Sequence, residues 1–206
     1  MTYEEKYILL RKKFILKTIN IHNNTSSHQK FDINNLNFNI DEILGTPEIC
    51  AKCGGACCKH YPCLFSTNDF LDVNDIDYMS RILDTGLVCI GQSCYDNNLI
   101  LRIRGIKDKK SIVNTRLSSE NTCLLFGKEG CMLPSEFRPA EALLYYAQTI
   151  DYHISIYDTA DCIEDWSIHQ DVLKTLYEKY KRIKIPIPYN PTKEDAMKLT
   201  KKNSWL

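Results

Sequence analysis

The sequence predicts an α+β fold, a small irregular single domain with a helix near each end. Helical periodicity runs through residues 2–20 and 161–182, and between them lie short apolar runs bounded by Gly and Asn. There is no regular alternation of strands with helices to announce a parallel sheet, and no internal repeat. The third observation gives the domain its centre: Cys50-Ala-Lys-Cys53-Gly-Gly-Ala-Cys57-Cys58 packs four thiols into nine residues.

The elements follow in order. Over residues 2–20, Tyr7, Leu10, Phe14, Ile15 and Thr18 share one helical face, with Lys12, Lys13 and Lys17 left for water. His22 to Asn39 is rich in Asn and Ser and reads as a polar tether. After the cysteines, Ser66-Thr-Asn-Asp69 starts a helical turn with an acid three residues on. Val73 to Asp84 carries Ile76, Met79, Ile82 and Leu83 at helical spacing, and Gly86 ends it. Leu87–Ile90 and Leu99–Arg104 read as strands joined through Asn97-Asn98. Thr122–Phe126 and Gly130–Leu133 form a short hairpin about Gly127. Pro139 opens a helix over 139–149, Tyr152–Tyr157 is a strand, and Asp161–Arg182 is the longest helix. Ile185-Pro-Ile-Pro188 is extended, and Pro191 opens a short last helix. The expected organisation is an N-terminal helix and tether over 1–40, a cysteine-cluster domain over 41–184 and an extension over 185–206.

Composition narrows the function. At 206 residues, 44% hydrophobic and 25% charged, the chain has a globular balance. Lys plus Arg equals Asp plus Glu at 26 each, so net charge offers no reason to expect nucleic acid or an anionic membrane as partner. No run approaches the roughly 20 apolar residues of a membrane span. Glu4, Glu5 and Arg11-Lys-Lys13 interrupt the N-terminal apolar positions, so no signal-peptide core is read there. The expected compartment is the cytoplasm, where ten cysteines stay reduced and clustered ones serve metals more than disulfides.

Thiolates suit zinc and iron–sulfur clusters, and a two-residue spacer lets paired sulfurs converge on one ion. Gly54 and Gly55 allow the turn such a loop needs. Cys57 and Cys58 are adjacent, so both are not expected on one tetrahedral ion. Cys50, Cys53 and one of that pair then need a ligand from elsewhere. Cys131 is the first choice, with Cys123, at the other side of the hairpin, and Cys162, just inside a helix whose dipole favours a thiolate, as alternatives. Cys89 and Cys94 read as ordinary core thiols. Cys63 is evenly balanced between ligation and packing, and Arg138 is read as fixing the loop that positions Cys131.

The pattern Cys50, Cys53, Cys57, Cys58, then Cys123-Leu-Leu, Gly130-Cys131-Met-Leu and Arg138-Pro139 resembles the bacterial YkgJ-like family of zinc- or iron-chelating CxxCxxxCC proteins. The resemblance spans about residues 50–162. It implies a metal-chelating domain binding zinc or a [4Fe–4S] cluster, and some relatives are linked to protein methylation. The metal ligands it implies are Cys50, Cys53, Cys57, Cys58, Cys123, Cys131 and Cys162. One departure is clear: where the family carries a further cysteine, this chain has Ala142. These seven thiols suffice for one four-ligand site, whereas two such sites would draw an eighth ligand from Cys63, His60 or a carboxylate.

No Gly-rich phosphate loop, HExxH, GxSxG or CxxxCxxC motif occurs. The expectation is a cytoplasmic metal-binding cysteine-cluster protein, its partner an ion or cluster, with another protein as a further candidate. Two other classes stay open: an iron–sulfur enzyme or accessory in protein modification or redox chemistry, and an interaction module stapled by zinc.

Overall fold

A computed structural model of the chain describes residues 3–27, 30–31, 54–93, 96–108, 112–114, 121–128, 130–133, 137–147, 153–186 and 190–199. Cys50, Cys53, Cys94 and most of the expected tether lie outside the described residues, as does the Cys57 side chain. The architecture is α+β. None of the described helices is long and apolar enough to cross a membrane.

Helix α1 (Tyr3–Thr25) runs five residues past the expected end and buries a stripe at four-residue spacing, Tyr7, Arg11, Ile15 and Ile19. Leu10, expected on that face, is 44% exposed, and Arg11 is buried instead. The side-chain amide of Asn23 closes the element: it donates to Phe31 O at 2.7 Å and accepts Phe31 N–H at 2.9 Å. Helix α2 (Ala56–His60) follows Gly54 and Gly55, whose φ of 64° and 68° lie where side chains are disfavoured. Ser66 caps the 3₁₀ turn Thr67–Asp69 through the anticipated capping box. Helix α3 (Ile76–Asp84) is capped by Asp75, buries Tyr78, Met79, Ile82 and Leu83, and ends before Gly86 at φ 71°.

Strands β1 (Val88–Gln92) and β2 (Leu99–Ile103) pair antiparallel, Val88 facing Ile103 and Gln92 facing Leu99. Asn97, at φ 62°, is in the turn between them. Strand β3 (Val113–Asn114) joins β1 in parallel, giving the sheet order β2-β1-β3. Strands β4 (Phe126–Gly127) and β5 (Gly130–Cys131) form the expected hairpin.

Two helix expectations are corrected. Helix α4 spans only Ala140–Leu143, because the β-favouring stretch Tyr145–Ala147 leaves it as strand β6 to pair with β7 (His153–Ser155). The single helix over 161–182 is instead α5 (Thr159–Ser167) and α6 (Gln170–Tyr180), broken at Ile168, which is 82% exposed. Tertiary bonds impose the break. Trp166 Nε1 donates to Phe65 O at 2.7 Å, and the Gln170 side chain both accepts Leu99 N–H and donates to Leu99 O. Helix α7 (Lys193–Met197) follows Pro191 with Thr192 as its cap. The core gathers Ile15 and Ile19 of α1, Met79 and Leu83 of α3, and Trp166, Leu173 and Leu176 of α5 and α6 over the sheet.

Candidate metal centre

The described part of the cysteine loop is held against the hairpin by backbone bonds. Cys123 N–H donates to Cys58 O at 2.7 Å, Asn121 N–H to His60 O at 3.1 Å, and Thr122 Oγ1 to Lys59 O at 2.9 Å. The two glycines differ in their surroundings. A Cβ on Gly55 would sit 2.1 Å from Phe126 Cε2, so the β4 ring lies directly on the loop, whereas one on Gly54 would meet only Lys59 Nζ at 3.6 Å. The loop and the hairpin, 65 residues apart at Cys58 and Cys123, are therefore neighbours by construction.

The hairpin carries thiols on both sides, Cys123 before β4 and Cys131 in β5. The Arg138 Nε donates to Leu133 O at 3.2 Å, in keeping with a role in fixing that loop. Burial pushes the Cys123 thiol up, with the Cys58 sulfur adding to it, and it raises Cys131 despite the charge of Arg138.

Cys63 precedes Leu64, which bridges to Arg102 of β2. Burial, then the Glu141 carboxylate, then the sulfurs of Cys123, Cys58 and Cys131 push its thiol well up. Thiols from the loop, from the 63–65 segment and from both sides of the hairpin thus lie within electrostatic reach of one another. Cys162 stands elsewhere. It is fully buried in the first turn of α5, and burial followed by Glu141, Asp69, Asp165 and Asp161 raises its thiol. The helix-dipole argument for a thiolate at that position is outweighed by burial, with these carboxylates adding to it.

Cys58, Cys63, Cys89, Cys123, Cys131 and Cys162 carry thiols rather than disulfides. Among the described residues, no three Cys, His, Asp or Glu side chains converge closely enough to hold an ion. The implied ligands Cys50 and Cys53 are outside the described residues. Cys89 is the expected core thiol, fully buried on β1 with its sulfur 3.8 Å from Asp108 Oδ2. His60 is exposed, and His169 bonds Asn74 at 3.2 Å on a helix surface.

Two features escaped the sequence reading. Arg11 and Asp69 form a buried ion pair, and Arg11 also donates to Arg138 O, tying α1 to the loop behind Cys131. A lone arginine in the stripe 7, 11, 15, 19 was the signal available. The other is Glu141, whose Oε2 accepts Leu64 N–H at 2.6 Å; nothing local marks it. Comparison with family models, with curated proteins and with solved structures gives no match for this chain.

Proposed function

We propose that the chain is a metal-binding protein of a reducing compartment, the cytoplasm, in which cysteines of the 50–58 loop and of the 122–133 hairpin hold a zinc ion or an iron–sulfur cluster. The observation that supports this reading is the bond from Cys123 N–H to Cys58 O at 2.7 Å, which sets the cysteine loop against the hairpin that carries Cys131. Burial raises the Cys123 and Cys131 thiols. A cation beside such thiols favours the thiolate. Cys58, Cys123 and Cys131 would hold the metal from this side, and Cys50 and Cys53 from the rest of the loop. When bound, the metal would supply the positive charge that stabilises these thiolates and links distant segments, so that its binding energy becomes folding energy.

Binding must release protons, because burial favours the protonated thiols of Cys123 and Cys131 in the metal-free chain. Retention therefore weakens as pH falls. The test is metal and acid-labile sulfide analysis of anaerobically purified protein, with its visible spectrum. Stoichiometric metal supports the reading, brown colour with sulfide assigning a cluster and a colourless solution with zinc assigning the ion. A folded, metal-free chain that takes up neither metal overturns it.

A further inference from the structure

We infer that the first turns of α1 are a clamp on the segment that follows Cys131, so that docking of the helix and retention of metal at that cysteine favour one another. Geometry carries the clamp, and its link to metal rests on the metal-binding reading above. Among residues 5–11 of α1, only Tyr7 and Arg11 are buried. Both touch the stretch beyond the hairpin. The Tyr7 ring stacks on Phe137, with centroids 5.7 Å apart and planes 8° from parallel. The Arg11 guanidinium donates to Arg138 O while it pairs with Asp69. Asp69 in turn accepts Ala140 N–H at 3.0 Å, so Phe137, Arg138 and Ala140 are all fixed from one side.

From there the contacts run back to the hairpin. Arg138 Nε donates to Leu133 O at 3.2 Å, and Leu133 is itself buried in the core. Met132 N–H donates to Leu125 O at 2.9 Å, and Cys131 pairs with Phe126 across the hairpin. Cys131 thus lies two residues from the carbonyl that Arg138 holds, and α1 holds Arg138. The rest of α1 is anchored separately, through Ile15 and Ile19 in the core, so its first turns can open without the whole helix. Their hold gives direction more than strength. Docking withdraws two charges from water, and it leaves Arg11 Nε buried without a partner among the described residues. Whatever fixes Cys131, a bound metal included, then favours docking, and docking favours it by the same factor.

The test labels the full chain, as purified anaerobically, with iodoacetamide and reads each cysteine by peptide mass spectrometry. Tyr7→Ala should raise labelling of Cys131 relative to the core thiol Cys89 about fivefold or more. Leu173→Ala, a core truncation on α6, should leave that ratio as in the parent, because general loosening moves both thiols. If Tyr7→Ala keeps the parent's ratio, or Leu173→Ala raises it as much, the clamp is overturned. Should Tyr7→Ala not fold, Arg11→Lys decides by the same ratio and the same rule. It keeps a charge beside Asp69 but lacks the planar fork that also reaches Arg138 O. The link to metal is read by competition with a chelator, to which Tyr7→Ala should yield its metal at about tenfold lower concentration. Parent-like retention overturns the link while the metal-binding reading stands. A parent that neither carries nor takes up metal overturns that reading and the link with it, and the labelling ratio still decides the clamp.

Discussion

Asp69→Ala removes the acceptor at which three parts of the molecule meet. The Asp69 carboxylate takes the Arg11 guanidinium from α1, Ser66 N–H at 2.8 Å from its own capping box, and Ala140 N–H at 3.0 Å from the start of α4. The ion pair is almost wholly withdrawn from water, with side-chain exposures of 3% and 2%. Breaking one side of such a pair costs about 3–5 kcal/mol, because the surviving charge stays buried without compensation. Stranding buried backbone donors costs about 1–3 kcal/mol each, part of which the first figure already contains. A loss of at least about 4 kcal/mol is expected, a large share of the roughly 5–15 kcal/mol that holds a domain folded. Urea unfolding followed by the fluorescence of Trp166, which is fully buried, reads it directly. Arg11→Met in the same background should recover at least about 2 kcal/mol, since the stranded cation goes with it. A loss below about 1.5 kcal/mol for Asp69→Ala, or simple additivity in the double variant, would refute the coupling.

The glycines and the last helix give two further tests. Gly55→Ala combines φ 68° with a Cβ 2.1 Å from the Phe126 ring and should cost about 2–4 kcal/mol, while Gly54→Ala, whose Cβ makes only an ordinary contact with Lys59 Nζ, should cost about 1–2 kcal/mol; equal losses in urea would show that the ring does not rest on the loop. At α7, bonds from Lys198 and then Thr192 lower the Asp195 carboxyl from the ordinary 3.8 to about 2. Its folded value is depressed, so its contribution is complete above the unfolded value and is lost as pH falls through about 2. A carbon-13 titration of the Asp195 carboxyl should show that midpoint, and one near the ordinary value would mean that the cap does not form.

What could be read from the sequence was local. Ser66 and Asp69 announced their capping box, Asp84 and Gly86 the end of α3, and Leu99–Arg104 a strand, because each depends on a few adjacent residues. The glycines of the cysteine loop do adopt the backbone that only glycine adopts easily. What could not be read depends on distant partners. The break at Ile168 exists because Trp166 and Gln170 bond to Phe65 and Leu99, and the short α4 exists because Tyr145–Ala147 finds β7. The same holds at the candidate site. The spacing of Cys50 to Cys58 marked the loop, and the hairpin was visible around Gly127. That residues 63–65 pair with β2, and that Cys162 is buried near carboxylates, depends on contacts that no short motif encodes.

A comparison of metal retention in Cys131→Ala and Cys53→Ala, purified anaerobically beside the parent, tests the central claim most directly. If loop and hairpin share one centre, the parent carries stoichiometric metal and both variants lose it to a comparable extent, although the two residues lie 78 apart in the chain. A Cys131→Ala chain that keeps the parent's metal while Cys53→Ala loses it would show the loop binding alone, and the shared centre would be contradicted.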